Sequence, residues 1–271
     1  MTETRTAPRP GTLQGRSALV LGGVTLVGLV AFFWPFLADP GSAALGHASD
    51  APWVFAALLP LLLALVLAEL ADGSLDSRGI ALLGVLSAVA AALRPIGAGT
   101  VGFEPIWVVI ILGGRALGPG FGFLLGNISL FASALLTGGV GPWLPFQMIA
   151  AGWLGFGAGC LPRASSRVEP WVVAAYGAVA SILYGFLLNL WFWPWAAGAQ
   201  SQLSFDPAAT VAENLQHWFL FNMATSLGYD LPRAVVVAAL LAITARPVLA
   251  ALRRATRRAA FDRPIVFEGS T

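Results

Sequence analysis

A few polar side chains recur inside an otherwise apolar, glycine-rich stretch of the chain, residues 94–159. They are Arg94, Glu104, Asn127, Ser129 and Gln147. In hydrocarbon each such group costs free energy, so it usually turns inward to a partner, a cavity or a ligand. The pattern predicts that this stretch forms most of a binding pocket inside a membrane protein, while the rest of the chain places the pocket in the bilayer.

Two charged residues, Arg94 and Glu104, stand at the ends of the loop PIGAGTVGF. They either form a salt bridge that pins the loop or contact a ligand, and the residues themselves favour neither reading. Glycine and proline occupy four positions of this loop, which would let it cover a cavity or hinge away from it.

Further candidates come from helical spacing and from amides within apolar runs. Trp143 and Gln147 are four residues apart and would share a helical face. Asn127 and Asn189 could contact a ligand, or could form hydrogen bonds between helices instead. The candidate substrate-binding residues are Arg94, Glu104, Trp107, Asn127, Trp143, Gln147 and Asn189.

No motif for catalysis or nucleotide binding is present in the sequence. There is no D-D-x-x-D run, no G-x-S-x-G and no H-E-x-x-H. Lysine is absent, so a phosphate loop of the G-x-x-x-x-G-K type cannot exist. Cys160 is the sole cysteine and the two histidines lie far apart, which gives no pattern for a metal site. We therefore expect neither an enzyme nor a cofactor.

The composition is that of a membrane protein. Of 271 residues, 58% are hydrophobic and 10% charged, with a mean hydropathy of +0.80, whereas a soluble domain carries about 25% charged residues. Because about 20 apolar residues cross a bilayer core, we expect an all-α, polytopic helix bundle. The eight expected spans are residues 17–37, 53–71, 79–93, 105–114, 120–137, 143–161, 171–193 and 231–252.

Two features of these expected spans lead to further structural predictions. The third and fourth spans are short, which predicts tilt or non-helical backbone that is covered by protein. The long connection before the last span contains residues 208–227, which we expect to form an amphipathic helix along the membrane surface.

The arginines orient the spans. With the N-terminus inside, thirteen of the fifteen basic residues fall at cytoplasmic ends, and Arg94 and Arg233 fall on the outer side. Positive residues concentrate on the cytoplasmic side. We therefore expect a multi-pass protein of the cytoplasmic membrane with both termini in the cytoplasm.

The third span carries Gly84, Ala88 and Ala92 at spacing four. Small residues at this spacing let another helix approach closely. The stripe predicts either packing within this chain or docking of a partner.

The segments IALLGVLSAVAAALRPIGAG and GFEPIWVVIILGGRALGPGFGFLLGNISLFASALLTGGVGPWLPFQ resemble the substrate-binding S components of energy-coupling factor (ECF) vitamin transporters. The resemblance is closest to the group proposed to carry cobalamin. It runs from about residue 79 to 161, with an echo at TSLGYDLPRA. It implies a six-helix substrate-binding core at 79–252, preceded by two additional transmembrane helices at 16–78. Composition and charge predict a disordered cytoplasmic N-terminus at 1–15 and a basic cytoplasmic tail at 253–271.

The resemblance also implies partners. An S component binds a vitamin or related micronutrient near the outer face, while a transmembrane T component and two ATPase subunits supply energy. The implied partners are this small molecule, the T component, the ATPases and the lipid bilayer, without nucleic acid. Gly84, Ala88 and Ala92 match the family's docking stripe, and the loop from Arg94 to Glu104 corresponds to a lid over the ligand.

Two other function classes compete with this one. An integral membrane enzyme acting on a lipid or isoprenoid substrate would be expected to show paired carboxylates or histidines near one membrane face. A self-sufficient secondary transporter often shows two related halves. Neither pattern is found in the sequence.

Overall fold

The computed structural model describes residues 15–37, 62, 75, 77–97, 100–196 and 201–258. Within these ranges the chain forms eight α-helices, one 3-10 helix (Pro95–Gly97) and no strand, so the all-α prediction is confirmed. The α-helices are α1 (Gly15–Leu37), α2 (Ser77–Leu93), α3 (Ile106–Leu117), α4 (Pro119–Thr137), α5 (Leu144–Cys160), α6 (Glu169–Ala196), α7 (Val211–Thr225) and α8 (Leu227–Arg258).

Parts of the expected division fall outside the described residues. These are the second expected span apart from Leu62, and residues 1–14 and 259–271 of the two expected tails. Helix α8 continues six residues beyond the expected end of the core. The boundary between core and C-terminal tail therefore lies inside a helix.

Four described helices have the length and hydropathy to cross a membrane: α2 with the 3-10 turn that follows it, α4, α6 and α8. Helix α3 has 12 residues, which makes it about 18 Å long and shorter than a bilayer core of about 30 Å. It nevertheless lies at the centre of the bundle, against α2, α4, α5, α6 and α8. Ile110, Ile111 and Leu112 are fully buried. The expected short span is thus a helix covered by protein on every side.

Helices α3, α4 and α5 approach one another to backbone contact at glycines. A Cβ on Gly122 would overlap the carbonyl of Gly155, and a Cβ on Gly155 would overlap the carbonyl of Gly122. Gly118, at φ 102°, ends α3 and precedes α4, whose first turn begins with Pro119. This close packing fixes α5 relative to α3, and so fixes Gln147 relative to Trp107.

The N-terminal helix α1 is part of the same core. Phe32 is fully buried and packs edge-on against Phe146 of α5 with ring centroids 5.2 Å apart. Trp34 donates from its indole N–H to the carbonyl oxygen of Trp191 on α6 at 2.8 Å and stacks on Trp195 at 4.7 Å. Helix α1 therefore covers the α5–α6 side of the bundle.

Helix α2 has two different faces. Leu83, Ser87, Ala90 and Ala91 are buried, on the face that packs against α3 and α4. The predicted stripe of Gly84, Ala88 and Ala92 is exposed among the described residues. A Cβ added at Gly84 would meet no described atom within 4 Å.

A charged cluster joins three helices at the C-terminal end of α3. Arg115 donates to Glu169 at 2.8 Å and to the carbonyl oxygens of Leu161 and Pro162. Arg253 donates to both oxygens of Glu169 at 2.8 and 2.7 Å. The Arg115 and Glu169 side chains are each 7% exposed. The cluster ties α3, the start of α6 and α8 together.

The connection before α8 contains α7, where an amphipathic helix was expected. The Thr210 hydroxyl accepts from the backbone N–H of Glu213, and the Glu213 carboxylate accepts from the backbone N–H of Thr210, which is a capping box. These hydrogen bonds from Thr210 hold the pKa of Glu213 below its ordinary value. The cap fixes where α7 begins and positions its far end beside the site.

Candidate functional site

A cavity of about 370 Å³ lies between six helices, near the N-terminal end of α3. We call it the deep cavity. Its apolar wall includes Ile106, Leu130 and Leu188, and Trp107 and Tyr184 pack together with ring centroids 4.4 Å apart. Apolar and aromatic walls with a few polar groups are typical of small-molecule sites.

Glu104 is held by two hydrogen-bond donors and one ion pair. The indole N–H of Trp107 donates to its Oε2 at 2.6 Å, and the hydroxyl of Tyr229 donates to its Oε1 at 3.2 Å. Arg233 Nη1 lies 3.6 Å from Oε2. The carboxylate is therefore fixed between the start of α3 and the first two turns of α8.

Arg233 is the most firmly held charge in the site. It donates from Nη2 to Asp230 Oδ1 at 2.5 Å and to the carbonyl oxygen of Ser181 at 2.6 Å. Its guanidinium lies over the rings of Tyr184 and Tyr229, 5.3 and 5.5 Å from their centroids. Its side chain is 5% exposed. A buried cation with carboxylate, carbonyl and aromatic partners satisfies the requirement for a charge inside a membrane protein.

Arg94 is held differently. It donates from Nη2 to Gln147 Oε1 at 3.2 Å, and no described carboxylate forms an ion pair with it. The salt bridge between Arg94 and Glu104, one of the two readings of the sequence, is not formed within the described chain. Glu104 pairs with Arg233 instead, because the first two turns of α8 lie against the loop.

Asn189 joins the far wall of the cavity to α7 and to Ser226, the residue between α7 and α8. Its Nδ2 donates to Asn222 Oδ1 at 2.8 Å and to the hydroxyl of Ser226. Asn222 in turn donates from Nδ2 to the carbonyl oxygen of Trp218 at 2.8 Å. Asn189 thus forms an interhelical hydrogen bond and also lines the cavity.

A second cavity of about 410 Å³ lies under the loop between α2 and α3. We call it the loop cavity, and residues of the loop, among them Pro95, Gly97 and Val101, line it. Arg94, Glu104 and Tyr229 line both cavities. These three side chains therefore form the boundary between the loop cavity and the deep cavity.

Gly102 holds the loop against α8. Its φ is +74°, a conformation that glycine adopts without strain. A Cβ at this position would meet the backbone of Arg233 and the ring of Pro232 at 2.5 to 2.8 Å. The absence of a side chain at Gly102 lets the loop close over the Glu104–Arg233 pair.

Comparison with known families assigns the chain to a family. Residues 78–245, more than half of the chain, match the family model described as ECF transporter, substrate-specific component. The chain belongs to this family. No curated protein and no solved structure matches the chain at a significant level.

The family assignment settles several expectations. S components are transport subunits and not enzymes, which removes the alternative of a membrane enzyme acting on lipids. It agrees with the multi-pass membrane protein expected from hydropathy. It also implies association with a T component and ATPases in the membrane.

The S component brings five of the seven candidate residues together. Arg94, Glu104, Trp107, Gln147 and Asn189 all line the deep cavity. They come from four separate parts of the chain, and α3, α5 and α6 position them.

Asn127 and Trp143 line neither described cavity. Asn127 is fully buried and donates to the carbonyl oxygen of Phe123 in its own helix at 2.8 Å. Trp143 precedes the first turn of α5, where its indole donates to the carbonyl oxygen of Gly139 at 3.1 Å, and it is 43% exposed. Although Trp143 lies four residues before Gln147, its side chain does not line the cavity.

The first two turns of α8 supply the polar residues that the sequence analysis did not select: Tyr229, Asp230 and Arg233. Two signals could have found them. Arg233 is one of two arginines expected on the outer side, and the segment TSLGYDLPRA carries the weaker part of the family resemblance.

Proposed function

We propose that this S component captures a vitamin or related micronutrient in the deep cavity and delivers it together with a T component and ATPase subunits. The observation that carries the proposal is the convergence of Arg94, Gln147 and Asn189 with an aromatic wall on one cavity. Convergent polar groups in an otherwise apolar cavity fix the orientation of a small ligand. The chain has no lysine and so no phosphate loop of its own, and the family assignment supports ATPase partners as the source of energy.

Orientation and domain organisation are part of the same proposal. Both termini lie in the cytoplasm, which puts the loop cavity on the outer face and the Arg115–Glu169–Arg253 cluster on the inner face. Residues 79–252 form the core, in which α2, α3, α4, α5, α6 and α8 are the six spans and α7 lies in the connection before α8, and the N-terminal helices are an addition to this core. The packing of α1 on α5 and α6 supports an addition that stabilises the core.

The family resemblance nominates cobalamin as the first ligand to test. The deep cavity of about 370 Å³ is near the lower end of the range for small-molecule sites, about 300–1,000 Å³. A corrinoid, with its macrocycle and nucleotide tail, would have to occupy the deep and loop cavities together. Movement of the loop at Gly102 would join the two.

The exposed face of α2 is proposed as the surface that docks on the T component. The intrachain partner that the alternative reading required is not found among the described residues. Gly84 and Ala88 leave room for the backbone of another helix.

The test is ligand binding by the purified chain without nucleotide. Isothermal calorimetry across cobalamin, its precursors and the other common vitamins should find one saturable ligand. Asn189→Leu should weaken its binding, because the substitution removes a polar group of the cavity wall. As a matched control, Asn127→Leu changes a buried asparagine that lines neither cavity, and should leave affinity unchanged. A panel in which nothing binds would contradict the proposal.

A further inference from the structure

Of the two arginines that line the deep cavity, only one forms ion pairs with the described carboxylates. Four charged side chains line it: Arg94, Glu104, Asp230 and Arg233. Arg233 forms ion pairs with both carboxylates, at 2.5 Å to Asp230 and 3.6 Å to Glu104. Both acidic residues are therefore engaged by the same cation, and Arg94 has no carboxylate partner in the described part of the chain.

Glu104 is also satisfied by neutral donors, whereas Arg94 is not satisfied, and the buried Oδ2 of Asp230 has no hydrogen-bond partner among the described residues. Glu104 accepts from the Trp107 indole and the Tyr229 hydroxyl. A guanidinium carries five N–H donors, and Arg94 uses one of them on the amide oxygen of Gln147. Half-buried beside hydrocarbon, a cation with one neutral partner is costly unless an anion joins it.

The surroundings of Arg94 can accommodate such an anion. Arg94 lines both cavities, so it is accessible from either side of the boundary. Gln147 accepts from Arg94 through Oε1, which leaves its NH₂ group as a second donor next to the guanidinium. A planar carboxylate or a phosphate accepts from a guanidinium through two parallel hydrogen bonds.

Asn189 supplies a complementary group on the opposite wall. Asn222 donates from its own Nδ2 to Trp218, so its Oδ1 faces Asn189 and fixes Nδ2 of Asn189 toward it. The Oδ1 of Asn189 is therefore the atom that it can offer to a ligand. It accepts hydrogen bonds and does not attract a negative group.

We propose that the ligand carries one anionic group, a carboxylate or a phosphate, which Arg94 and Gln147 bind at the boundary between the two cavities, while a hydrogen-bond donor of the ligand faces Asn189. This inference rests on the proposed function and narrows its substrate class. Vitamins whose functional groups are neutral or cationic are excluded as preferred ligands.

The test compares acids with their neutral counterparts. Calorimetry on the purified chain in phosphatidylcholine nanodiscs uses biotin against biotinamide, nicotinate against nicotinamide, and pantothenate against panthenol. Cobalamin is titrated beside cobinamide, which lacks the whole nucleotide loop that contains the phosphodiester. One acid should bind roughly 10- to 100-fold more tightly than its neutral counterpart, the range that a charge-assisted hydrogen bond corresponds to.

Variants assign the preference to Arg94. In Arg94→Gln the preference for the acid should disappear, and in Arg94→Lys it should be reduced, since an ammonium keeps the charge and loses the planar fork. Arg78→Gln is the matched control, because Arg78 is an exposed arginine at the other end of α2. The Arg78→Gln variant should have the same ligand affinity, and the same preference for the acid, as the unaltered protein.

The possible failures are distinguishable. If no member of the panel binds, the proposed function fails and this inference fails with it. If a neutral or cationic vitamin binds as tightly as any acid, or if Arg94→Gln keeps the preference, only this inference is overturned. Repeating the titration with phosphatidylglycerol separates lipid from ligand: an affinity that falls as this anionic lipid is added would assign Arg94 to a headgroup and overturn the proposal.

Discussion

At the scale of single residues, Glu104 and Arg94 have different surroundings although both bound the same loop. Glu104 connects Trp107, Tyr229 and Arg233 and so holds α3 against α8. Arg94 has one neutral partner, Gln147. The contacts of Glu104 are those of a residue that stabilises the fold, whereas the contacts of Arg94 are those of a residue that binds a ligand.

This difference predicts that substitutions of Glu104 and Arg94 affect different quantities, stability and ligand affinity. Glu104→Ala should lower the free energy of unfolding by roughly 1–3 kcal/mol, because the Trp107 indole and one side of Arg233 lose their acceptor. Arg94→Ala should change thermal stability little and weaken ligand binding by roughly 1.5–3 kcal/mol. Thermal unfolding and calorimetry on the same variants measure both.

The double variant is the control. Since Arg94 and Glu104 form no described ion pair, their effects should add to within about 0.5 kcal/mol. A double variant that loses little more than either single one would show that the two side chains form a salt bridge in the membrane.

Gly102 provides a second prediction at this scale. Gly102→Ala should destabilise the protein by more than about 2 kcal/mol, because it adds an overlap with the backbone of Arg233 to a left-handed strain of roughly 1–2 kcal/mol. Gly138→Ala is the matched control, at φ +66° with nothing within 4 Å of its Cβ, and should cost the strain alone. Equal thermal shifts for the two variants would mean that the loop does not press on α8.

At the scale of helices, the Glu169 cluster and the α2 stripe have different roles. Glu169 holds α3, α6 and α8 together through Arg115 and Arg253. The α2 stripe has no described partner at Gly84. One feature should affect stability, and the other should affect assembly.

Glu169→Gln should lower the free energy of unfolding by about 3 kcal/mol, near the lower end of the range for breaking a buried ion pair, because the partly exposed Arg253 contributes less than the buried Arg115. Denaturant-induced unfolding in detergent would measure it. Arg254→Gln, on an exposed neighbour of Arg253, should have an effect within about 0.5 kcal/mol. A stable Glu169→Gln protein would show that apolar packing alone holds these helices.

Gly84→Leu combined with Ala88→Trp should separate the protein from its T component while ligand affinity is retained, since bulky side chains prevent close approach of the helices. Val179→Trp, on an exposed position of α6, is the control and should leave the complex intact. Size-exclusion chromatography of the purified complex reads out assembly. A complex that survives the double substitution places the docking surface elsewhere.

At the scale of the whole molecule, the sole cysteine reports the orientation. Cys160 is exposed at the end of α5, on the side expected to face the cytoplasm. A membrane-impermeant maleimide should not label it in intact cells but should label it after permeabilisation. Thr100→Cys in a Cys160→Ala background should be labelled in intact cells. The reverse pattern would invert the topology.

Hydropathy and turn residues were enough to predict the helix bundle, a short fourth span and a helix in the connection before α8. They also selected Arg94, Glu104 and Gln147, because a polar residue in an apolar run is conspicuous. They could not pair Glu104 with Arg233, which lies 129 positions later in the chain. That pair depends on how α8 packs on α3, and local sequence does not carry this information.

Two further features of the structure could not be predicted from the sequence. Trp143 was placed in the site on the assumption that α5 includes it, whereas its indole binds the preceding turn at Gly139. The packing of α1 depends on Phe32 and Trp34 meeting Phe146 and Trp191. In the sequence, aromatic residues facing another helix cannot be distinguished from aromatic residues facing lipid.

The most direct test of the central claim is copurification of a tagged chain from its native membranes. The account predicts that a T component and ATPase subunits copurify with it, and that ATP is hydrolysed by the complex and not by the isolated chain. A chain that purifies alone and accumulates its ligand in liposomes without any ATPase would contradict the account.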